Sequence, residues 1–216
     1  MIRTTPRAVL SALTVAVVSL GLIVAHPGSR PAFASNWGSI CDTAIACVSL
    51  ANNSQHAIRF VNLTSSDTPT YPNDIPRMQI AANHAIAQYN ATDMVVYRDE
   101  SDPLPDVWVH DWNYGSVDFF GITYCTDENS GTGGSHPNRW CRGQQNRFNA
   151  YWYWNASGVF DTDFQRRLLT CHELGHTVGL RHNTVSSNSC IWWDPFVANT
   201  GSILHAHDIS HINARY

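Results

Sequence analysis

Residues 172–182 read His-Glu-Leu-Gly-His-Thr-Val-Gly-Leu-Arg-His, and these types at this spacing suit a catalytic metal ion. On a helix His172 and His176 stand four residues apart, so both imidazoles leave one face and can share an ion. Glu173 is rotated off that pair but stays close enough to hold a water on the metal. Gly179 lets the backbone turn where a Cβ would resist, and the turn brings His182 back as a third ligand. Three neutral imidazoles leave one position of a zinc ion open for water, which is a catalytic rather than a structural arrangement. In that chemistry zinc lowers the pKa of its water, Glu173 takes the proton, and a polarised carbonyl is attacked. The bland alternative is a helix whose histidines make only surface or capping hydrogen bonds.

An independent signal favours the helix. Thr162 can serve as N-cap with Gln165 three residues on, a capping box, and Asp161 and Asp163 suit the positive helix end. The helix then runs through Phe164, Leu168 and Leu169 into the histidines, and Gly179 is placed to stop it. Upstream, Arg77–Tyr89 carries apolar residues at helical spacing and predicts a first amphipathic helix. Strands are expected over His56–Leu63, Met94–Tyr97, Val107–His110, Val117–Tyr124 and the aromatic stretch Phe148–Trp154. Residues 129–138 read as a loop, and a short final helix is expected over Asp208–Tyr216. These elements make an α+β domain.

The motif H-E-x-x-H-x-x-G-x-x-H resembles the zinc signature of the metzincin metallopeptidases. Size and ending are most similar to a minimal bacterial matrixin-like catalytic domain, strongly over 160–216 and in layout alone over 56–155. The resemblance implies a twisted mixed β-sheet with two long helices and a small C-terminal subdomain ending in a helix. It also implies cleavage of an extended peptide lying along an edge strand. One departure stands out. Metzincins set a Met in a tight turn beneath the zinc, but here Met occurs only at 1, 78 and 94. By distance the turn falls near Ser189-Cys190-Ile191, so Ile191, similar to Met in volume, takes the place of that apolar floor. A longer loop would put Ile203 or Leu204 there instead. The resemblance also assigns Trp192 and Trp193 to a substrate pocket, the alternative being the core of the subdomain. Trp193 stands where some metzincins carry Tyr and offers no hydroxyl.

The rest of the chain bounds the setting. Residues 1–34 have a basic start (Arg3, Arg7), an apolar run (Ala8–Ala25) and Ala32-Phe33-Ala34, the pattern of a cleaved signal peptide. An uncleaved membrane anchor is the rival reading; with cleavage, residues 35–216 form one catalytic domain and the protein is secreted. Cleavage leaves ten Arg against seventeen acids, a charge of −7 that disfavours nucleic acid and anionic membranes as partners. No stable membrane anchoring is expected, and a monomer is. Six cysteines in an exported chain favour three disulfides, most simply Cys41–Cys47, Cys125–Cys141 and Cys171–Cys190. Asp99, Glu100, Asp102 and Asp106 could bind Ca²⁺ but lack the alternating EF-hand pattern, so a solvated acidic turn is the plainer reading. His205, His207 and His211 lack a matching carboxylate or loop and read as surface or packing residues.

The leading functional reading is a secreted zinc-dependent endopeptidase acting on protein or peptide. Two others are carried with it: a non-catalytic zinc-binding or recognition module on a metzincin fold, and a metal hydrolase for small non-peptide substrates.

Overall fold

The computed structural model describes residues 40–41, 47–48, 50–51, 53–61, 74–117, 119–128, 140–154, 162–192 and 201–216. Residues 1–34, read above as a signal peptide, residues 129–138, read as a loop, and Trp193 lie outside them. Among the described residues eight strands and four helices follow in order: β1 (Ile40–Cys41), β2 (Cys47–Val48), β3 (Leu50–Ala51), β4 (Gln55–Phe60), α1 (Asp74–Tyr89), β5 (Val95–Arg98) and β6 (Val107–Trp112). Next come β7 (Gly121–Glu128), β8 (Trp140–Asn149), α2 (Ala150–Trp154), α3 (Asp163–Thr177) and α4 (Ala206–Arg215). The main sheet is mixed, and its strands run β5-β4-β6-β8 in parallel, with β7 antiparallel on β8. Short β3 also pairs with β8, at Leu50↔Trp140 and Ala51↔Cys141, while β1 and β2 form a separate ribbon. The α+β expectation therefore holds.

Alternation along β6 shows how the layers form. Val107, Val109 and Asp111 are buried, whereas Trp108, His110 and Trp112 are half-buried on the other face. Ala82 and Ala85 of α1 and Thr170 and Leu174 of α3 meet Ile58, Val109, Asn146 and Phe148 of the sheet around a small cavity. Small residues on α1 let the two helices sit low on the sheet. Burying a side chain such as Leu168 in this layer contributes about 2 kcal/mol. Tyr89, fully buried at the end of α1, donates its hydroxyl to Cys171 O at 2.8 Å and so ties α1 to α3.

Three expectations shift. Helix α1 starts at Asp74 rather than Arg77, because Pro76 falls in the first turn, where its missing N–H costs nothing. Strand β7 begins at Gly121 rather than Val117. Residues 150–154 are helical, not extended: the Asn149 side chain accepts from Tyr151 N at 3.2 Å and ends the strand there. Aromatic residues favour strands on average, but a local side-chain acceptor overrides that preference.

Polar groups also enter the core behind α3. Thr177 Oγ1 donates to Leu174 O at 2.6 Å, so His56 Nε2, 2.8 Å from Thr177 Oγ1, must carry the proton they share and donate it to that hydroxyl. His56 is fully buried, and burial lowers its pKa to about 4 from the ordinary 6.5. Between those values the unfolded chain binds a proton that the folded one refuses. Stability is therefore intact above about pH 6.5 and falls as pH drops toward 4, by at most about 3 kcal/mol from this residue. Buried His172 and His176 add to the loss with the same sign. Urea unfolding followed from pH 7 to 5 should show this slope, and His56→Gln should flatten it by up to one proton. An unchanged slope in that variant would rule out His56 as a contributor.

Candidate metal centre

Helix α3 is built to deliver the histidines. Thr162 caps it as the sequence predicts: its hydroxyl accepts from Gln165 N, and the Gln165 side chain returns to the Thr162 backbone. The helix ends at Thr177, and Gly179 adopts φ 97°, a conformation that a side chain would resist. Leu180 N then bonds back to Gly175 O at 2.9 Å, closing the turn that leads to His182.

The three rings converge. One ring nitrogen from each of His172, His176 and His182 lies within 4.8 Å of the others, so the group could hold a metal ion. Ring centroids are 4.7 Å apart for His172–His176, 5.0 Å for His172–His182 and 5.1 Å for His176–His182. Two of the rings are oriented from behind. His172 Nδ1 lies 2.8 Å from Cys190 O, and His176 Nδ1 lies 2.7 Å from Leu180 O. A carbonyl can only accept, so each Nδ1 carries a proton and each Nε2 keeps its lone pair for an ion. Burial and the neighbouring imidazoles hold His172 well below the usual histidine range, and the same causes lower His176 to about 3. Both are therefore neutral at physiological pH, the state that ligates. His182 is exposed and leaves one side of the group open.

No protein-family model and no curated protein matches the chain. What the centre can do rests on its own geometry.

Glu173 is buried beside His172, and burial pushes its carboxyl up to about 8 while the Thr123 hydroxyl, 2.7 Å from Oε2, opposes that shift. Beneath α3, Ile191 is fully buried against Gly175, where a Cβ would overlap Ile191 Cδ1 and crowd the Tyr89 hydroxyl. The Gly inside the His-Glu-Leu-Gly-His run is thus a space requirement that spacing alone did not reveal. Cys171 is bonded to Cys190, which ties α3 to the segment bearing Ile191 and occupies the thiol that could have competed for metal. Cys125 is bonded to Cys141, joining β7 to β8. Cys41 and Cys47 face one another in the β1–β2 register, but their side chains lie outside the described residues. Trp192 is half-buried, and its backbone bridges to Asn183.

The other candidates are used differently. Asp106 Oδ2 accepts from Ala57 N, Glu100 Oε2 from Phe60 N, Asp99 from Ser101, and Asp102 Oδ1 from Leu104 N. Among the described residues the three histidines are the one group of three or more such side chains whose ligand atoms converge, and the four acids turn to the local partners just named. His205 caps α4, and His207 and His211 meet edge to face with ring centroids 4.7 Å apart.

One residue that the sequence did not single out organises the far side. Asp208 is fully buried and accepts from Asn183 Nδ2 at 2.8 Å, Ser189 Oγ at 2.6 Å and His205 N at 3.0 Å. Asn183 follows His182, and Ser189 precedes Cys190, whose carbonyl orients His172. A single carboxyl group therefore joins both backbone segments that approach the metal group from the C-terminal side.

Proposed function

We propose that the chain is a secreted zinc-dependent endopeptidase of the metzincin kind. The observation that carries this reading is the convergence of His172, His176 and His182 with Glu173 adjoining on the same helix. His172, His176 and His182 would hold the ion, and zinc fits their all-imidazole donor set with one side open. When bound, the ion supplies a Lewis acid that acidifies water and polarises a carbonyl. Glu173 removes the proton from the water that attacks the scissile carbonyl, then delivers it to the amine as the C–N bond breaks. A cation at the three imidazoles would draw the Glu173 carboxyl back down toward the range in which it can serve as a base. Strand β7 pairs with β8 alone among the described residues, and this supports an extended peptide adding along its other edge.

The N-terminal signal pattern and the two disulfides support an extracellular setting. Among the described residues no helix is long and apolar enough to cross a membrane.

Digestion of casein and of a peptide library, with and without a zinc chelator, tests the reading. Cleavage is expected, with near-complete loss on chelation and recovery when zinc is restored. Zinc binding without cleavage would support the recognition module instead, and chelator-resistant cleavage would remove the metal from the mechanism.

A further inference from the structure

The Glu173 side chain leaves α3 toward the sheet edge, and β7 receives it with two residues on one face of the strand, Gly121 and Thr123. At Gly121 an added Cβ would lie 2.6 Å from Glu173 Oε1, 2.7 Å from Cγ and 2.8 Å from Cδ. The carboxyl group thus fills the volume that any other residue at 121 would take. Two positions on, Thr123 Oγ1 lies 2.7 Å from Glu173 Oε2, 3.0 Å from Glu173 O and 2.8 Å from Asn146 Oδ1. A hydroxyl has one proton to give and lone pairs to receive with. Donation to Oε2 is complete when the Asn146 amide, turned by half a rotation, donates its N–H to Thr123. Both Thr123 and Asn146 are buried, so water does not compete for these bonds.

We propose that Thr123, with the space left by Gly121, is the positioning residue for Glu173: it pins Oε2 and leaves Oε1 as the oxygen that moves the proton. The proposal rests on the endopeptidase reading for its catalytic meaning, while its geometric content stands without it. Misplacing a reacting group by about 1 Å costs up to about a hundredfold in rate. A lost seat should therefore appear in kcat and leave KM nearly unchanged.

The chain has only three glutamates, Glu100, Glu128 and Glu173, so labelling with [5-13C]glutamate gives three carboxyl signals. The Glu173 signal is the one missing from Glu173→Gln. In the full-length protein at one fixed pH, Thr123→Val is expected to move that signal alone, and Thr123→Ser to leave it in place. Gly121→Ala should move it as well, which serves if the valine variant does not fold. In peptide hydrolysis, Thr123→Val should lower kcat about tenfold or more at unchanged KM, with zinc content intact and Thr123→Ser restoring most of the rate. A Glu173 signal unmoved in Thr123→Val and Gly121→Ala overturns the proposal. So does a serine variant as impaired as the valine one, since packing and not the hydroxyl would then be at work. Signals that move as expected in a protein that cleaves no peptide would instead sink the endopeptidase reading and keep the seat.

Discussion

Under the proposed endopeptidase reading, Glu173→Ala is expected to retain zinc binding and to hydrolyse peptides about a thousandfold more slowly than the unaltered chain. The three imidazoles that form the metal group do not include Glu173, and their orienting carbonyls belong to Cys190 and Leu180. Removing the carboxyl group therefore leaves every ligand in place. It also removes a buried acid whose pKa is pushed up to about 8, a group that folding must desolvate, so the fold should not suffer. Thr123 keeps Asn146 and the Glu173 carbonyl as partners. The decisive measurement pairs zinc content per chain with turnover of a fluorogenic peptide. A variant that binds zinc and cleaves at the native rate would take the base role away from Glu173.

The second large effect concerns Asp208→Ala. Three donors, Asn183 Nδ2, Ser189 Oγ and His205 N, lose their buried acceptor together. An unpaired buried donor costs about 1 kcal/mol or more, so the loss should reach about 3 kcal/mol in urea unfolding. Residues that orient ligands from behind typically carry tenfold to hundredfold effects on metal affinity, and a weakening of roughly that size is expected here. Asp208→Asn keeps shape and acceptor capacity on one side and should recover about half of both losses. If Asp208→Ala unfolds at the native urea midpoint, the network it joins adds nothing to stability.

The candidate metal ligands were legible because they are local. One helix turn sets His172 against His176, and one glycine brings His182 back, so spacing alone carries the geometry. The capping box at Thr162 and Gln165 was legible for the same reason. Strand β8 was not. Its sequence Trp-Cys-Arg-Gly-Gln-Gln-Asn-Arg-Phe-Asn has little apolar alternation, and only its end was read as extended. Its inward positions are Gln144, Asn146 and Phe148, and the two amides are buried because each finds a partner, Gln144 Nε2 on Thr177 O and Asn146 on Thr123; Asn149, buried at the strand's end, donates Nδ2 to Gly115 O. A strand that buries amides defeats a reading based on hydrophobic period. Thr123, Gly121 and Asp208 escaped for another reason: their meaning lies in contacts that span dozens of residues, and a lone Thr or Asp has no signature of its own.

The separation between Thr123 and Glu173, 50 residues, also sets a hierarchy of chain entropy. Closing a loop of that length costs about 1.4 kcal/mol more than closing the ten-residue span from His172 to His182. The imidazole group is thus nearly a property of one short segment, whereas the seat of the proposed base exists only while an edge strand stays docked. Because Cys125–Cys141 keeps β7 on β8, the excursions that matter are those that part α3 from β7; they would leave the imidazole group together and the carboxyl group adrift, so the proposed metal capture and proton transfer rest on contacts of different range.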